Sequence, residues 1–247
     1  MRTTMEIPGK VALVTGGAHR VGRALVLGLA RAGADIVLCY HRSEAAAAAT
    51  ADEVRALGRR VFARGADVSN ETDVRLLIEG VAAEFGRLDV VVNSASLFES
   101  AAFDAITGQD WDRVLGVNLK GPFLVAREAA PLLEKDGGGV IVNIADLSAF
   151  QTWPSYVHHS VSKAGLVHLT RVLARVLAPA IRVACIAPGT VLPPPGHDDE
   201  DHAGGRERRL TARAGEPEDV VRALLYLVES DFVTGDVLRV EGGRMLL

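Results

Sequence analysis

The sequence predicts an α/β fold: a Rossmann-like doubly wound parallel sheet with helices on both faces, in a single domain. Three observations lead there. Short apolar runs alternate with longer segments of helical period along the 247 residues. Near-continuous apolar strands belong to parallel sheets buried on both faces. The first run, Lys10 to Val14, opens into a glycine-rich turn and then a helical segment. Composition also supplies a large core, with 49% hydrophobic and 23% charged residues, which argues against a disordered chain. No composition break or internal repeat marks a boundary, so residues 1–247 read as one domain.

The elements follow in order. Strands are expected at Lys10–Val14, Asp35–Tyr40, Arg60–Arg64, Leu88–Val92, Val140–Ile144, Ile181–Ile186 and Asp236–Val240. Helices are expected at Arg20–Ala32, ended by Gly33, and at Ser43–Leu57, with Ser43 as N-cap. Further helices are expected at Asn70–Phe85, Trp111–Glu134, Ser155–Leu177 and Pro217–Glu229. Residues 193–210 read as a mobile substrate loop, because three prolines, an acidic run Asp198–Asp201 and a basic run follow one another there.

Charge and targeting signals exclude several functions. The formal net charge is −4 with both signs dispersed, so no basic face suits nucleic acid. The N-terminus has no signal-peptide stretch, and no segment approaches the roughly 20 apolar residues of a membrane span. Cys39 and Cys185 lie in apolar runs and read as buried thiols of a reducing compartment. A cytoplasmic protein is expected. The histidines show no metal-ligand spacing, and His197 and His202 read as loop residues, so no metal site is expected.

After the first strand comes Thr15-Gly16-Gly17-Ala18-His19-Arg20-Val21-Gly22, then a helix. Glycine lets backbone approach a pyrophosphate, and a helix N-terminus attracts its charge. The strand–turn–helix context makes this a dinucleotide loop. At the end of the second strand stands Tyr40-His41-Arg42-Ser43, without the acid that would bind ribose hydroxyls in an NAD site. A guanidinium and a hydroxyl suit the 2′-phosphate instead, and Arg20 adds charge, so NADP(H) is the expected cofactor.

Thr-Gly-x-x-x-x-x-Gly in this setting resembles the short-chain dehydrogenase/reductase family. The resemblance implies that Gly16, Arg20, Val21 and Gly22 bind cofactor, with His41, Arg42 and Ser43. It also implies that Asp67 and Val68 contact adenine, and that Asn93, Ser94 and Ala95 form the segment after strand four. Pro188, Gly189 and Thr190 match the turn that contacts nicotinamide, and Asn118 falls on the family's catalytic asparagine. Gly215-x-Pro217-Glu218-Asp219 and Gly242-Gly243 match its C-terminal pattern. A homotetramer is implied, with the two long helices as interface.

The family's Tyr-x-x-x-Lys is altered. Lys163 is present, but the residue four before it is His159. Tyr156 lies about 10 Å from Lys163 along a helix axis, too far to replace the usual tyrosine. Thirteen residues before His159, where the family has serine, stands Asp146. In an Asp146–His159 couple the carboxylate would favour a protonated ring and Lys163 would oppose it. Lys163 is also expected to hold the nicotinamide ribose.

Pteridine reductases of the family are similar at Arg20, at His41-Arg42-Ser43 and at Asp146. They also have a tyrosine at the position of Tyr156. Their Asn-Asn-Ala-Ser-Ser-Phe resembles Asn93 to Phe98, which makes Ser96, Phe98 and Tyr156 substrate-site candidates. Ordinary core packing is the other reading of Phe98. The expectation is an NADPH-dependent reductase of a C=N or C=O bond in a small molecule, a pterin or a carbonyl compound. A catalytically weak NADP(H)-binding sensor or scaffold, and a general carbonyl reductase, are the open alternatives.

Overall fold

A computed structural model describes residues 5–135, 137–192, 210–211 and 213–247. Its sheet has seven parallel strands in the order β3-β2-β1-β4-β5-β6-β7. They are β1 (Val11–Thr15), β2 (Asp35–Tyr40), β3 (Val61–Gly65), β4 (Val90–Asn93), β5 (Gly139–Ile144), β6 (Ile181–Pro188) and β7 (Val237–Val240). The doubly wound expectation holds, and the order reverses between β1 and β4. The crevice at their carboxyl ends is where open α/β sheets bind ligands.

Alternation along each strand divides the core in two. Ala12, Val14, Ile36, Leu38, Val90 and Val92 face one side, where they pack with α1 (Arg20–Arg31), α2 (Glu44–Ala56) and the last helix, α7 (Pro217–Glu229). Val11, Leu13, Val37, Cys39, Val91 and Ile141 face the other, under α3 (Glu71–Phe85), α5 (Gly121–Lys135) and α6 (Val157–Val176). Burial of such aliphatic side chains contributes roughly 1.5–3 kcal/mol each before entropy is counted. Cys39 and Cys185 are buried free thiols on β2 and β6.

Two local expectations need correction. Ser43 occupies the N-cap of α2, but its side chain makes no capping hydrogen bond, whereas Asn70 caps α3 through Thr72 and Asp73. The long helix expected from Trp111 is three pieces: α4 (Gly108–Leu115), a π-helical turn (Gly116–Lys120) and α5. The wider turn breaks the 3.6-residue period at Asn118, where a regular pattern gives no warning. Short 3-10 turns at Leu147–Ala149 and Pro154–Tyr156 lead into α6, so Tyr156 precedes the helix. Of the loop expected at residues 193–210, all but Leu210 lies outside the described residues. Among the described residues no helix is long and apolar enough to cross a membrane.

Candidate active site

A cleft of about 560 Å³ opens at the carboxyl ends of β1, β4, β5 and β6. One wall is the glycine loop, with Gly16, Arg20, Val21 and Gly22. Gly16 has φ +67°, and a Cβ there would lie 2.8 Å from Ala95 Cα. At Gly22 a Cβ would lie 2.1 Å from the Gly16 carbonyl oxygen. Side chains are therefore excluded at both positions, which leaves the bare cradle and helix N-terminus a pyrophosphate requires. Arg20 adopts φ +50°, the region usually left to glycine.

Thr15 ties this loop to β4. Its Oγ1 accepts the N–H groups of Ser94 and Ala95, each at 3.1 Å. Ser94, Ala95, Ser96 and Phe98 line the next wall, and Pro188, Gly189 and Thr190 line a third. Asn93 does not line the cleft but sits beneath it. Its Nδ2 donates to Asn143 Oδ1 at 2.9 Å, and Asn143 donates to Thr170 Oγ1 at 2.9 Å. Its own Oδ1 is buried without a partner.

The residues expected to meet the adenosine end lie apart from these. His41 and Arg42 are exposed and Ser43 is half-buried, at the start of α2. Asp67 accepts both the N–H and the hydroxyl of Ser69, and Val68 is buried. Burial would raise the Asp67 carboxyl, but the Ser69 hydrogen bonds, with the charges of His41 and Arg42, hold it below the ordinary range. Cationic groups thus gather at the end of β2, as a 2′-phosphate needs.

The residues expected to carry the chemistry stand on α6 and just after β5. Lys163 is buried and donates from Nζ to the Ile144 carbonyl at 2.9 Å. Burial pushes its ammonium below the usual lysine range, opposed by the charge of Asp146. His159 Nε2 lies 2.7 Å from Asp146 Oδ2, and Nδ1 lies 2.9 Å from the Leu97 carbonyl oxygen. Asn118 fixes Leu97 by donating to its carbonyl at 3.0 Å and accepting its N–H at 2.8 Å. Asn118 Nδ2 also donates to Ser162 Oγ at 3.0 Å.

Asn118 has only two N–H bonds to give from Nδ2, and these two acceptors take both. His159 Nδ1 lies 3.3 Å from Asn118 Nδ2 but closer to the Leu97 carbonyl, to which it can donate. A hydrogen on Nε2 is what lets that nitrogen bond the Asp146 carboxylate rather than face it lone pair to lone pair. Burial would raise the Asp146 carboxyl, but the His159 hydrogen bond, the Lys163 charge and Ser148 lower it to about 2. The His159 side chain is 1% exposed and that of Asp146 21%. The carboxylate is the member of the couple more open to the cleft.

Aromatic rings complete the cleft. Phe98 is 44% exposed, so it is no core residue. It stacks on Tyr156 at 4.5 Å and meets the His159 ring edge-on at 4.8 Å. Trp153 lines the cleft with it, edge-on at 6.4 Å, while Tyr156 backs Phe98. The sequence left Trp153, Ser162, the Leu97 carbonyl and Arg244 unassigned. A backbone carbonyl leaves no sequence signal, whereas Ser162, three residues after His159, shares its helical face.

A parallel sheet in this order, with a glycine cradle at its switch point and a buried lysine beside it, defines a dinucleotide-binding α/β domain. Residues 16–244 match the family model described as enoyl-(acyl carrier protein) reductase. The chain belongs to the short-chain dehydrogenase/reductase family. It is 37% identical to the (2S)-[(R)-hydroxy(phenyl)methyl]succinyl-CoA dehydrogenase subunit BbsD of Thauera aromatica, over 98% of this chain and 99% of that one. It is 32% identical to the 3-oxoacyl-[acyl-carrier-protein] reductase FabG of Thermotoga maritima, over 98% and 100%. A short-chain dehydrogenase from Burkholderia cenocepacia J2315, solved in complex with NADP, superposes with a TM-score of 0.90 at 32% identity, covering 98% and 100%.

Proposed function

We propose that this chain is an NADP(H)-dependent oxidoreductase acting on a C=O or C=N bond, with the Asp146–His159 couple in place of the family's serine and tyrosine. The observation that carries the reading is the 2.7 Å contact between His159 Nε2 and Asp146 Oδ2, in one cleft with Lys163. NADP(H), when bound, supplies or accepts the hydride. The glycine cradle fits its pyrophosphate, and Arg20, His41, Arg42 and Ser43 fit its 2′-phosphate. Lys163 keeps two N–H bonds beyond the one given to Ile144, and these suit the nicotinamide ribose hydroxyls.

The chain's own part in reduction is to deliver one proton. It rests on His159 Nε2, shared with Asp146 Oδ2. Because the carboxylate is the more exposed partner, the proton reaches the substrate oxygen or nitrogen through Asp146. The ring returns to charge by taking a proton from solvent once product leaves. In oxidation the path reverses. Asn118 acts as a positioning residue, since it holds the Leu97 carbonyl that anchors Nδ1.

The near-complete burial of His159 favours a second reading: an NADP(H)-binding protein with weak chemistry. NADPH oxidation with dihydrobiopterin, dihydrofolate, ketones and a 3-oxoacyl thioester separates the two. Turnover of any of them supports the first, and a pterin preference would sharpen it to a pteridine reductase. NADPH binding without turnover supports the second. The cytoplasm, as a reducing compartment, suits the buried thiols. A groove between α4–α5 and α6, lined by Leu115, Leu119, Phe123, Leu169 and Val172, supports a homotetramer, which light scattering tests.

A further inference from the structure

Arg244 has no task in the chemistry above. It opens the C-terminal 3-10 turn Arg244–Leu246, directly after Gly243 at φ +82°. That turn carries the side chain into the cleft, where Nη1 donates to Thr190 Oγ1 at 3.1 Å. Arg244 as a residue is half-buried. Among the described residues its one hydrogen-bond partner is that neutral hydroxyl, and no carboxylate pairs with it. A half-buried arginine with four N–H bonds to spare is a receptor for an oxyanion.

Its position tells which oxyanion. Arg244 lines two adjoining spaces: the cleft, and a second pocket bounded by Phe150, Gln151, Thr152, Trp153 and Leu247. Trp153 is the other residue shared by both. This second pocket is on the β5–α6 side and includes no residue of the glycine loop. Arg244 therefore stands where the substrate side of the cleft continues, behind the wall made by Phe98 and Trp153. That wall offers ring faces and edges to a flat group. At the reacting end stands the Asp146 carboxylate, which repels an anion. An acidic substrate is thus oriented with its reducible bond at Asp146, its ring along Phe98 and Trp153, and its negative group at Arg244.

We propose that Arg244 is a specificity-determining residue that takes the carboxylate of an aromatic oxo acid or imino acid. The proposal rests on the oxidoreductase reading and narrows its substrate class. Phosphate oxygens of the cofactor offer the same chemistry, because Thr190 belongs to the turn beside the nicotinamide site. The test therefore separates substrate from cofactor.

The probes are 4-acetylbenzoate and its uncharged isostere 4-acetylbenzamide, titrated calorimetrically into the protein–NADP⁺ complex. The wild type is expected to bind the acid at least about tenfold more tightly than the amide, as a charge-assisted contact should give. Arg244→Gln should abolish that preference with NADP⁺ affinity and melting temperature unchanged. Arg244→Lys, which keeps a point charge and loses the fork, should retain part of it, and serves if the glutamine variant does not fold. A wild type that binds neither probe, or both equally, overturns the proposal. So does a preference that survives in Arg244→Gln while NADP⁺ affinity falls, which would assign the guanidinium to the cofactor phosphates. NADPH oxidation is followed separately. An acid that binds through Arg244 and is never reduced counts against the oxidoreductase reading and leaves Arg244 as the carboxylate site.

Discussion

His159 reaches back 13 residues to place Nε2 2.7 Å from Asp146 Oδ2, while its other nitrogen faces the Leu97 carbonyl. Both ring nitrogens meet acceptors, so the charged imidazolium satisfies both contacts. The consequence is visible by nitrogen NMR of histidine-labelled protein. Both His159 ring nitrogens should show hydrogen-bonded signals in the wild type. In Asp146→Asn the Nε2 signal should shift, because its carboxylate partner is gone, while the Nδ1 signal should not. Signals unchanged between the two proteins would contradict the arrangement.

Arg20 stores backbone strain. At φ +50° a non-glycine residue costs about 1–2 kcal/mol. Arg20→Gly should therefore raise stability to urea by about 1 kcal/mol and weaken NADPH binding, since a cation near the phosphates is lost. A variant no more stable than the wild type would show that this backbone is relaxed in solution.

Cofactor choice rests on the end of β2. Removing one charge-assisted contact to the 2′-phosphate costs about 1.5–3 kcal/mol. Arg42→Ala should weaken NADPH by at least about tenfold and leave NADH nearly unchanged. Equal affinity of the wild type for the two cofactors, measured by calorimetry, would remove the assignment.

Asp89 should set part of the acid stability. It is 1% exposed, accepts the Val11 N–H, and pairs with Arg87 and Lys10. Burial would raise its carboxyl, but the Arg87 and Val11 hydrogen bonds hold it below the ordinary range. A carboxylate with a depressed folded value stabilises fully above its unfolded value, near 4. That contribution is lost as pH falls through the lower folded value. Wild-type stability should thus drop on acidification below pH ~4, and Asp89→Asn should start lower and depend less on pH in that window. Parallel pH curves for the two proteins would exclude this role.

Much of this was legible in the sequence because it follows from local pattern. Near-continuous apolar runs at Lys10–Val14 and Val140–Ile144 imply a parallel sheet, and the strand before Gly16–Gly22 with the helix after it points to a dinucleotide loop. The family resemblance, through the positions of its serine, tyrosine and lysine, implied that Asp146, His159 and Lys163 share one site. What stayed hidden depends on backbone or on distant packing. The π-helical turn around Asn118 breaks the helical period although Gly116 at its start and Gly121-Pro122 after it are also compatible with a continuous helix. The Leu97 carbonyl that anchors His159 is a main-chain group, and any residue type supplies one. Arg244 enters the cleft only because the chain folds back after Gly243, about 50 residues beyond the turn it meets.

The most direct test of the proton couple is single-turnover NADPH oxidation by the wild type and His159→Phe, using a carbonyl or pterin substrate that the wild type reduces. The phenylalanine keeps the ring's bulk beside Phe98 and removes the proton. The variant should bind NADPH with wild-type affinity and lose about 10²–10⁴-fold in the chemical step, the usual worth of positioned acid–base catalysis. Reduction by His159→Phe at the wild-type rate would contradict the account and move the proton source elsewhere, to Tyr156 or to water.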